Sequence, residues 1–389
     1  MPTVDVVNEC PVFDSFRVQQ VGGMFDVPIA ERVCTRRSVD IPDLNDFPWQ
    51  IGLIVGPSAS GKSTLAKQLF GESALQPPAW PTDRAVIDCF GELPTRQITS
   101  MLTAVGFSSP PSWIKPYSVL SGGERFRCDL ARALAAHVNA DDEGETRESP
   151  DTTSAPLVVF DEFTSVVDRT VAQVGSAALA KAIRGDAVRC RFVAVTCHYD
   201  VAEWLEPDWV LDMASRRFTR RRLRRPPIEL SIFRCRQDAW RLFAPHHYLS
   251  GQLSPAARCY LATWRDEPVA FCATLTLIGR RGHWRISRLV TLPDFQGLGI
   301  GMRVAEAIGQ MYLDEGLRLS VTASHPALLA HCRRSSFWRP SRVMRIGSRQ
   351  THLWRNYRGS RGRTVVSFNY IGQRGDVGSE PRSMEPADS

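Results

Sequence analysis

Apolar and polar positions along residues 48–213 form short apolar runs separated by segments with helical periodicity. The runs Ile51–Val55, Leu157–Phe160 and 192–196 are typical of buried strands. After the first run, Leu65 and Leu69 lie four residues apart, on one face of a predicted helix. This block is therefore predicted to alternate strands and helices, as α/β domains do.

Residues 228–372 show a second mixture of the two periods. The predicted strands of this block are 258–264, 269–278, 284–292 and 317–323. The first two are predicted to form a hairpin around Arg-Asp-Glu-Pro. One predicted helix carries apolar residues at spacings of four, four and three, namely Ile300, Val304, Ile308 and Met311. Another is predicted over 326–334, and the segment His246-His247-Tyr248-Leu is predicted to lie on the first helix of the block.

Changes in composition predict the domain boundaries. A first domain is expected over 1–222, with an acidic insertion over 139–155 that we expect to be solvated and disordered. A basic, proline-ended linker is expected over 223–227, a second domain over 228–372 and a disordered tail over 373–389.

Composition excludes several classes of protein. With 43% hydrophobic and 23% charged residues, the chain is too apolar for disorder, and no stretch of 18 uncharged apolar residues predicts a membrane span. The N-terminus lacks the pattern of a secretory signal. The 10 cysteines include no C-x-x-C pair, which argues against a zinc ribbon or a disulfide scaffold. We therefore expect reduced thiols and a cytoplasmic location.

The net charge of +7 conceals a strong asymmetry. Residues 214–389 hold 30 Arg against 12 Asp and Glu, a net charge of +18, whereas residues 1–213 carry −11. Such a basic half predicts a polyanionic partner. Only four of the 48 basic residues are Lys, which is typical of a GC-rich genome and accounts for part of the arginine excess.

A phosphate-binding pattern follows the first apolar run. Residues 56–63 read Gly-Pro-Ser-Ala-Ser-Gly-Lys-Ser, which fits G-x-x-x-x-G-K-[ST] between a predicted strand and a predicted helix. Backbone N–H groups and the helix dipole would cradle phosphates, Lys62 would reach the β- and γ-phosphates, and Ser63 would ligate Mg²⁺. The expected ATP-binding residues are Gly56, Pro57, Ser58, Ala59, Ser60, Gly61, Lys62, Ser63 and Thr64.

Two further segments strengthen this interpretation. The strand 157–160 ends in Asp161, expected to hold Mg²⁺ through water, and Glu162, expected to act as the general base that polarises water. Upstream, Leu-Ser121-Gly122-Gly123-Glu begins a predicted helix and forms a second turn suited to an anion.

At these positions the sequence resembles the ABC-type ATPases. The resemblance implies a signature loop at Ser121, Gly122 and Gly123, a D-loop at Asp168 and a switch histidine at His198. It also suggests Gln97 as the Q-loop residue, with a catalytic and metal-binding role, and Phe25 as a candidate adenine-stacking residue. One chain carries one phosphate loop and one signature, so the resemblance implies a homodimer closing over two ATP molecules. The region between the phosphate loop and the signature, which transporter ATPases use to grip their membrane domains, is short here. The resemblance is therefore to the soluble ABC-type ATPases that act on nucleic acids or complexes.

A second candidate site follows the strand 284–292. Gln296-Gly297-Leu298-Gly299-Ile300-Gly301 opens a helix, and its glycines do not fit the dinucleotide pattern G-x-G-x-x-G. The pattern Q-x-x-G-x-G is similar to the coenzyme A pyrophosphate loop of the GNAT acyltransferases. The resemblance covers about residues 228–372 and implies acetyl-CoA or another acyl-CoA as cofactor. The implied binding residues are Leu289, Val290, Thr291, Gln296, Gly297, Leu298, Gly299, Ile300 and Gly301.

The transferase acid and base are less defined by the sequence. Transferases of this family often use a Tyr at the position that Cys332 occupies here, with His331 beside it. The candidate acid/base residues are His246, His247, Tyr248, His325 and His331, because an imidazole suits proton transfer near neutral pH. For each histidine, a packing or surface role is the competing interpretation.

Arginine-rich segments suggest what the transferase acts on. Seven Arg lie within 216–225, and 354–363 interleaves aromatic residues with Arg, a pattern that favours nucleic acid over a solvated edge strand or hairpin. The whole order resembles fused ABC ATPase–acyltransferase proteins of prokaryotes and mobile elements. In the second part, the segments His-His-Tyr-Leu (246–249) and Arg-Leu-Val-Thr-Leu-Pro-Asp-Phe-Gln (288–296) are similar to the Mom DNA-modification proteins known from phage Mu. The resemblance implies that the protein modifies adenine in DNA. It also implies other DNA-modification or mobile-element proteins as partners, and no membrane partner is expected. Two alternatives remain: an ATP-gated protein or tRNA N-acetyltransferase, and a non-catalytic DNA clamp that senses acyl-CoA.

Overall fold

The structure is a computed structural model that describes residues 3–11, 13–26, 32–72, 79–136, 155–220, 225–247, 252–345 and 364–372. It divides into two compact units. Unit 1 comprises Met1–Ile228 together with Pro293–Leu298, and unit 2 comprises Glu229–Leu292 together with Gly299–Ser389. Both units mix helices and strands, so the predicted α/β class is confirmed.

The strands of unit 1 are short. They are β1 (Thr3–Pro11), β2 (Arg32–Asp40), β3 (Ile51–Val55), β4 (Leu157–Phe160), β5 (Arg191–Thr196), β6 (Trp209–Asp212) and β7 (Arg217–Arg220). The helices of unit 1 are α1 (Phe16–Phe25), α2 (Lys62–Phe70), α3 (Thr95–Ala104), α4 (Pro110–Trp113), α5 (Gly122–Ala135), α6 (Arg169–Arg184) and α7 (Ala202–Leu205).

The main sheet of unit 1 has the strand order β4-β5-β3-β6-β7. The first four strands are parallel, and β7 pairs antiparallel with β6 at the edge. All five residues of β3 are buried, because both faces of the sheet are covered: Ile51, Leu53 and Val55 pack into one core cluster and Ile54 into another. A Cβ on Gly52 would lie 2.1 Å from the ring of Trp209, so only glycine lets this indole cover β3. β1 and β2 form a separate antiparallel pair.

Unit 2 is built on one seven-stranded sheet. Its strands are β8 (Ser231–Cys235), β9 (Arg258–Trp264), β10 (Glu267–Thr276), β11 (His283–Thr291), β12 (Arg318–Ala323), β13 (Trp338–Arg345) and β14 (Thr364–Tyr370). Its helices are α8 (Trp240–Phe243), α9 (Ile300–Asp314) and α10 (Pro326–Arg334). The strand order is β13-β14-β12-β11-β10-β9-β8, and all pairs are antiparallel except β11 with β12.

The parallel pair in the middle of this sheet opens towards one end. β11 and β12 are paired from His283 with Arg318 to Ile286 with Val321, and no pairing continues beyond that point in the part of the chain described. Past it, β11 stays paired with β10 up to Thr291, and β12 stays paired with β14. The carboxyl ends of the two parallel strands therefore separate, and α9 and α10 follow from these ends.

Most predicted strands are present, with small shifts at their ends. The hairpin turn consists of Arg265 and Asp266 alone, both in the left-handed region, which matches a two-residue turn and starts β10 two residues earlier than predicted. β10 also ends before Ile278, which is fully exposed.

The helix predictions need two corrections. In α9 the apolar face includes Tyr312, which is buried, whereas Met311 is partly exposed, because the helix turns by about 100° per residue. The first helix of unit 2 ends at Phe243, and His246 lies in a separate 3₁₀ turn. Pro245 explains the break, because its ring and missing N–H do not allow the helix to continue.

Several predictions fall on residues outside the described ranges. These include the acidic insertion from 139 to 154, the arginine–aromatic segment 354–363, the tail 373–389 and Tyr248. Within the described ranges, none of the helices has both the length and the hydrophobicity that crossing a membrane would need.

Candidate functional site

The loop between β3 and α2 has the geometry of a phosphate cradle. Gly61 precedes α2 with φ = 89°, and within the described part of the chain no side chain caps the N-terminus of this helix. The first-turn N–H groups of α2 are therefore available to an anion, and the helix dipole favours negative charge there. The ammonium of Lys62 lies over the same loop, where it donates to the Pro57 carbonyl at 2.8 Å.

A cavity of about 230 Å³ opens at this loop. It is lined by Ser58, Ala59, Gly61, Lys62, Ser63, Thr64, Glu162 and Cys197. In the same loop, the hydroxyl of Ser60 is buried and has no hydrogen-bond partner among the described residues. The backbone N–H groups and the ammonium fit the oxygens of a polyphosphate, and the hydroxyls offer oxygen ligands to its magnesium ion.

The carboxylates predicted to act on Mg²⁺ and water follow β4. Glu162 lines the cavity, as its expected role requires. Its backbone lies in the left-handed region (φ = 51°), and its N–H donates to the Asp161 carboxylate at 2.9 Å. Asp161 therefore holds the turn that presents Glu162, although Asp161 itself does not line the cavity.

His198 lies just beyond β5, one residue after the cavity residue Cys197. Its Nδ1 is 3.4 Å from the hydroxyl oxygen of Thr164, which is fully buried. Burial and the nearby Arg169 lower the pKa of His198, against the opposing charges of Asp200 and Glu162. The imidazole is therefore neutral near pH 7, and if Nδ1 accepts from Thr164, Nε2–H remains available as a donor.

The signature residues Ser121, Gly122 and Gly123 do not line the cavity. Ser121 caps α5, with Glu124 completing a capping box, and Ser121 and Gly122 are exposed. Burial raises the pKa of Glu124, but hydrogen bonds from Ser121 and Ser112 outweigh this effect and leave the pKa below its ordinary value. Glu124 is thus an ionised part of a rigid, exposed helix start.

Three other residues predicted for this site also lie away from the cavity. Asp168 caps α6, because its carboxylate accepts from the Val171 N–H at 3.0 Å. Gln97 lies in the first turn of α3, and its buried Oε1 has no hydrogen-bond partner among the described residues. Phe25 ends α1 and is 69% exposed.

The first half of the predicted coenzyme A loop belongs to unit 1. Gln296 accepts a hydrogen bond from the Ser108 N–H at 2.8 Å, and a Cβ on Gly297 would lie 2.6 Å from Ala178. Arg127 of α5, 1% exposed, donates to the Asp294 carbonyl at 3.1 Å. The sequence pattern assigned Gln296, Gly297 and Leu298 to pyrophosphate binding and missed these packing contacts.

The second half of that loop begins α9 in unit 2. Gly299 precedes the helix with φ = 85°, and none of the described side chains caps its N-terminus, which leaves N–H groups for an anion. A Cβ on Gly301 would lie 2.9 Å from Oγ1 of Thr291, so this glycine lets α9 approach β11 closely. Ile300 is buried in the core.

The end of β11 adds a second feature to this site. Leu289, Val290 and Thr291 lie beyond the last β12 pair, on the stretch where β11 is paired with β10 alone. An extended ligand with amide groups fits such a strand edge, because it can pair with the backbone.

The candidate acid/base residues of unit 2 have different surroundings. His246 is exposed, His247 packs against Trp240 with ring centroids 5.7 Å apart, and His325 precedes α10. His331 is the candidate with a carboxylate partner: its Nε2 lies 2.7 Å from Oε1 of Glu306. Sequence reasoning missed Glu306, which is nearly buried on the apolar helix α9.

Cys332, at the position where the related transferases often have a Tyr, is 1% exposed. Burial, together with the charge of Glu306, raises the pKa of its thiol to about 12. The thiol therefore keeps its proton near neutral pH and is a poor acid or base for transfer.

The described part of the arginine-rich segment forms an edge. Arg217 and Arg220 are exposed on β7, and the Arg220 guanidinium lies 3.9 Å from the ring centroid of Phe47. Arg216 lies in the preceding turn with φ = 55°. This is the edge hairpin that the sequence analysis named as the alternative to a nucleic-acid surface, and exposed arginines are compatible with both.

Residues 212–332 match the model of the Acetyltransferase (GNAT) family. The chain thus carries an acetyltransferase domain of the GNAT type, which confirms the predictions of an acyltransferase domain and of an enzyme. A comparison with the curated proteins finds no match to the chain.

Solved structures of both predicted classes are similar to parts of the chain. The ribosomal-protein-S18-alanine N-acetyltransferase from Escherichia coli is 14% identical over 38% of this chain and 98% of its own, with a TM-score of 0.29. A dimeric bacterial ABC transporter cassette is 15% identical over 47% of this chain and 87% of its own, with a TM-score of 0.33. A bacterial Atm1-family ABC exporter with ATP bound is 16% identical over 48% of this chain and 35% of its own, with a TM-score of 0.31. At these TM-scores the likeness by itself defines no function.

Proposed function

We propose that this protein is an ATP-dependent N-acyltransferase that uses acetyl-CoA or another acyl-CoA to modify adenine in DNA. The observation that carries the proposal is the presence, in one chain, of two uncapped helix N-termini at glycine loops. One begins α2 beside a cavity lined by Lys62 and Glu162, and the other begins α9 in the domain that matches the acetyltransferases.

The first loop supports binding and hydrolysis of ATP. Lys62 and the first-turn N–H groups of α2 would hold the phosphates, while Ser63 and Asp161 would hold Mg²⁺, which offsets phosphate charge. Glu162 would take the proton of the attacking water. Because the signature residues at the start of α5 lie outside the cavity, with Ser121 and Gly122 exposed, we propose that a second copy of the chain supplies them in a homodimer.

The second loop supports binding of an acyl-CoA. The first turn of α9 would hold the pyrophosphate, and the edge of β11 at Leu289 and Val290 would pair with the extended amide-containing arm of coenzyme A. The acceptor amine would then attack the thioester carbon, so that a C–N bond forms and the C–S bond breaks with its electron pair left on sulfur. The proton lost by the nitrogen would end on that sulfur, which leaves as the thiol of coenzyme A.

Charge supports DNA as the acceptor. Residues 214–389 carry a net charge of +18, and the described part of the arginine-rich segment is exposed on β7. A DNA phosphate backbone is the polyanion that such a surface attracts most generally. Adenine as the target base rests on the resemblance to Mom-type proteins.

The test is incubation of the purified protein with duplex DNA, ATP, Mg²⁺ and acetyl-CoA carrying a labelled acetyl group, followed by mass spectrometry of the nucleosides. We expect a labelled adenine nucleoside that requires ATP and is absent with Glu162→Gln. Parallel reactions with tRNA and with cellular protein test the alternative acceptors. Label in tRNA or protein alone would replace DNA in the proposal, and acetyl-CoA binding without any transfer would favour the acyl-CoA-sensing clamp.

A further inference from the structure

Unit 2 contains a carboxylate–imidazole pair on two neighbouring helices. Oε1 of Glu306 on α9 lies 2.7 Å from Nε2 of His331 on α10. The Glu306 side chain is 9% exposed, whereas that of His331 is 35% exposed. The pair therefore has a buried acceptor and an imidazole that reaches the surface.

A buried carboxylate needs polar partners, because its burial is otherwise costly. Besides His331, Glu306 accepts a hydrogen bond from the hydroxyl of Ser335 at 3.3 Å, and its other oxygen lies 3.5 Å from the exposed guanidinium of Arg303. These contacts fix the carboxylate, and the carboxylate in turn fixes the imidazole. Since Nε2 faces Glu306, a neutral His331 would carry its proton on Nε2 and present the lone pair of Nδ1, which has no partner among the described residues.

The topology starts both helices that carry this pair at the end of the sheet where an acyl-CoA would bind. α9 follows β11 and α10 follows β12, and the carboxyl ends of these two parallel strands lie at the same edge. Glu306 is six residues beyond Ile300, which is about 9 Å along α9 from the helix start. His331 is five residues beyond Pro326, at a similar depth along α10.

We propose that His331 shuttles the proton of the transfer reaction and that Glu306 is its positioning residue. The inference rests on the proposed acyl-CoA transferase function. Nδ1 of His331 takes the proton from the attacking acceptor nitrogen as the C–N bond forms. The C–S bond then breaks, and the imidazolium returns that proton to the sulfur, giving coenzyme A with a free thiol. Glu306 stabilises the imidazolium between the two steps, as a carboxylate does for a catalytic histidine.

The kinetic test compares Glu306→Gln, which keeps the size and a hydrogen-bond acceptor, with Glu315→Gln at the far end of α9. Release of the coenzyme A thiol from acetyl-CoA is followed with duplex DNA, the proposed acceptor, in the presence of ATP and Mg²⁺. We expect kcat to fall at least about tenfold in Glu306→Gln and His331→Gln, with KM for acetyl-CoA unchanged. His331→Ala should regain activity with added imidazole, which a packing role would not allow. Wild-type rates in Glu306→Gln and His331→Gln would overturn the proposal.

A second measurement does not depend on the acceptor. Nitrogen NMR of isotopically labelled histidines, with His331→Gln assigning the signal, reports the tautomer of His331 and its response to ligands. We expect the Nε2–H tautomer, and a shift of Nδ1 on addition of coenzyme A but not of desulfo-coenzyme A, which lacks the thiol. An Nδ1–H tautomer, or equal responses to both ligands, would overturn the proposal. If Nδ1 responds as expected but no acceptor is acylated, the proton-shuttle geometry stands and the proposed function fails.

Discussion

The hydroxyl oxygen of Thr164 lies 3.4 Å from Nδ1 of His198, beneath the turn that presents Glu162 to the phosphate cavity. Thr164 has φ = 67° and is fully buried, so the turn after β4 holds its hydroxyl at a fixed place. If that hydroxyl donates, it keeps Nδ1 unprotonated and leaves Nε2–H for the γ-phosphate.

Thr164→Val tests this contact, because valine keeps the branched shape and loses the donor. We expect ATP hydrolysis to fall by roughly two- to tenfold, the value of one hydrogen bond of about 0.5–1.5 kcal/mol. The matched control is Thr164→Ser, which retains the hydroxyl and should remain near the wild-type rate. Steady-state phosphate release measures both, and an equal loss in the two variants would show that packing rather than the hydrogen bond is responsible.

The charges around His198 predict opposite pH shifts in two variants. Arg169 lowers the pKa of His198, and Asp200, which is ion-paired with Arg169 at 2.6 Å, raises it. If hydrolysis needs the neutral imidazole, its rate falls as pH drops through the pKa of His198, which burial and Arg169 hold below its ordinary value. Arg169→Gln should move this acid limb to higher pH, and Asp200→Asn should move it to lower pH. The measurement is the ATPase rate as a function of pH. Shifts of the acid limb in the same direction in both variants would show that His198 is not the group that titrates there.

Glu162→Gln should bind ATP without hydrolysing it. The phosphate cradle is untouched, and both residues accept the same backbone angles, but the amide cannot take a proton from water. Loss of a general base predicts a rate at least about 100-fold lower. Light scattering with ATP and Mg²⁺ should then show an accumulated dimer. Glu92→Gln, an exposed position away from the cavity, is the control. A monomer that hydrolyses ATP at the wild-type rate would remove Glu162 from its role.

The sequence patterns located both loops for a physical reason. Wholly apolar strands such as β3 and closely spaced glycines leave a local signature, so the phosphate cradle and the start of α9 could be predicted without contacts. Glu306 could not, because its partner His331 is 25 residues away and a glutamate on an amphipathic helix is ordinarily exposed. The packing of Gln296 and Gly297 within unit 1 was missed for the same reason, because it depends on residues distant in sequence. In a sequence, a glycine required for close packing cannot be distinguished from one required for ligand binding.

Gly299→Ala separates ligand binding from backbone strain in the second loop. Alanine at φ = 85° costs roughly 1–2 kcal/mol of stability, and a methyl group at the helix start would crowd a bound pyrophosphate. We expect acetyl-CoA affinity, measured by calorimetry, to fall at least tenfold, or about 1.4 kcal/mol. Gly316→Ala is the control, because Gly316 has φ = 72°, open space around its Cβ position and lies beyond the far end of α9. Equal affinities for acetyl-CoA in the two variants would show that the pyrophosphate does not bind at this loop.

The arginine edge predicts a salt-dependent affinity for duplex DNA. Each phosphate contact releases condensed counterions, so the slope of log K against log salt is about −0.9 per contact. Changing Arg216, Arg217 and Arg220 to Gln should therefore flatten the slope by up to about 2.7 and weaken binding similarly for all sequences. Because the Arg220 guanidinium lies over Phe47, thermal unfolding must first show that the variant remains folded.

The control for this edge removes the same charge elsewhere. Arg280, Arg281 and Arg285 are exposed in unit 2 and are changed to Gln together. If the 216–220 edge contacts DNA, the first triple variant flattens the slope more than the second. Equal flattening would mean that general charge, rather than this edge, attracts DNA. No binding at low salt, with or without ATP, would contradict DNA as the acceptor and favour protein acetylation, since a solvated hairpin has no DNA affinity to lose.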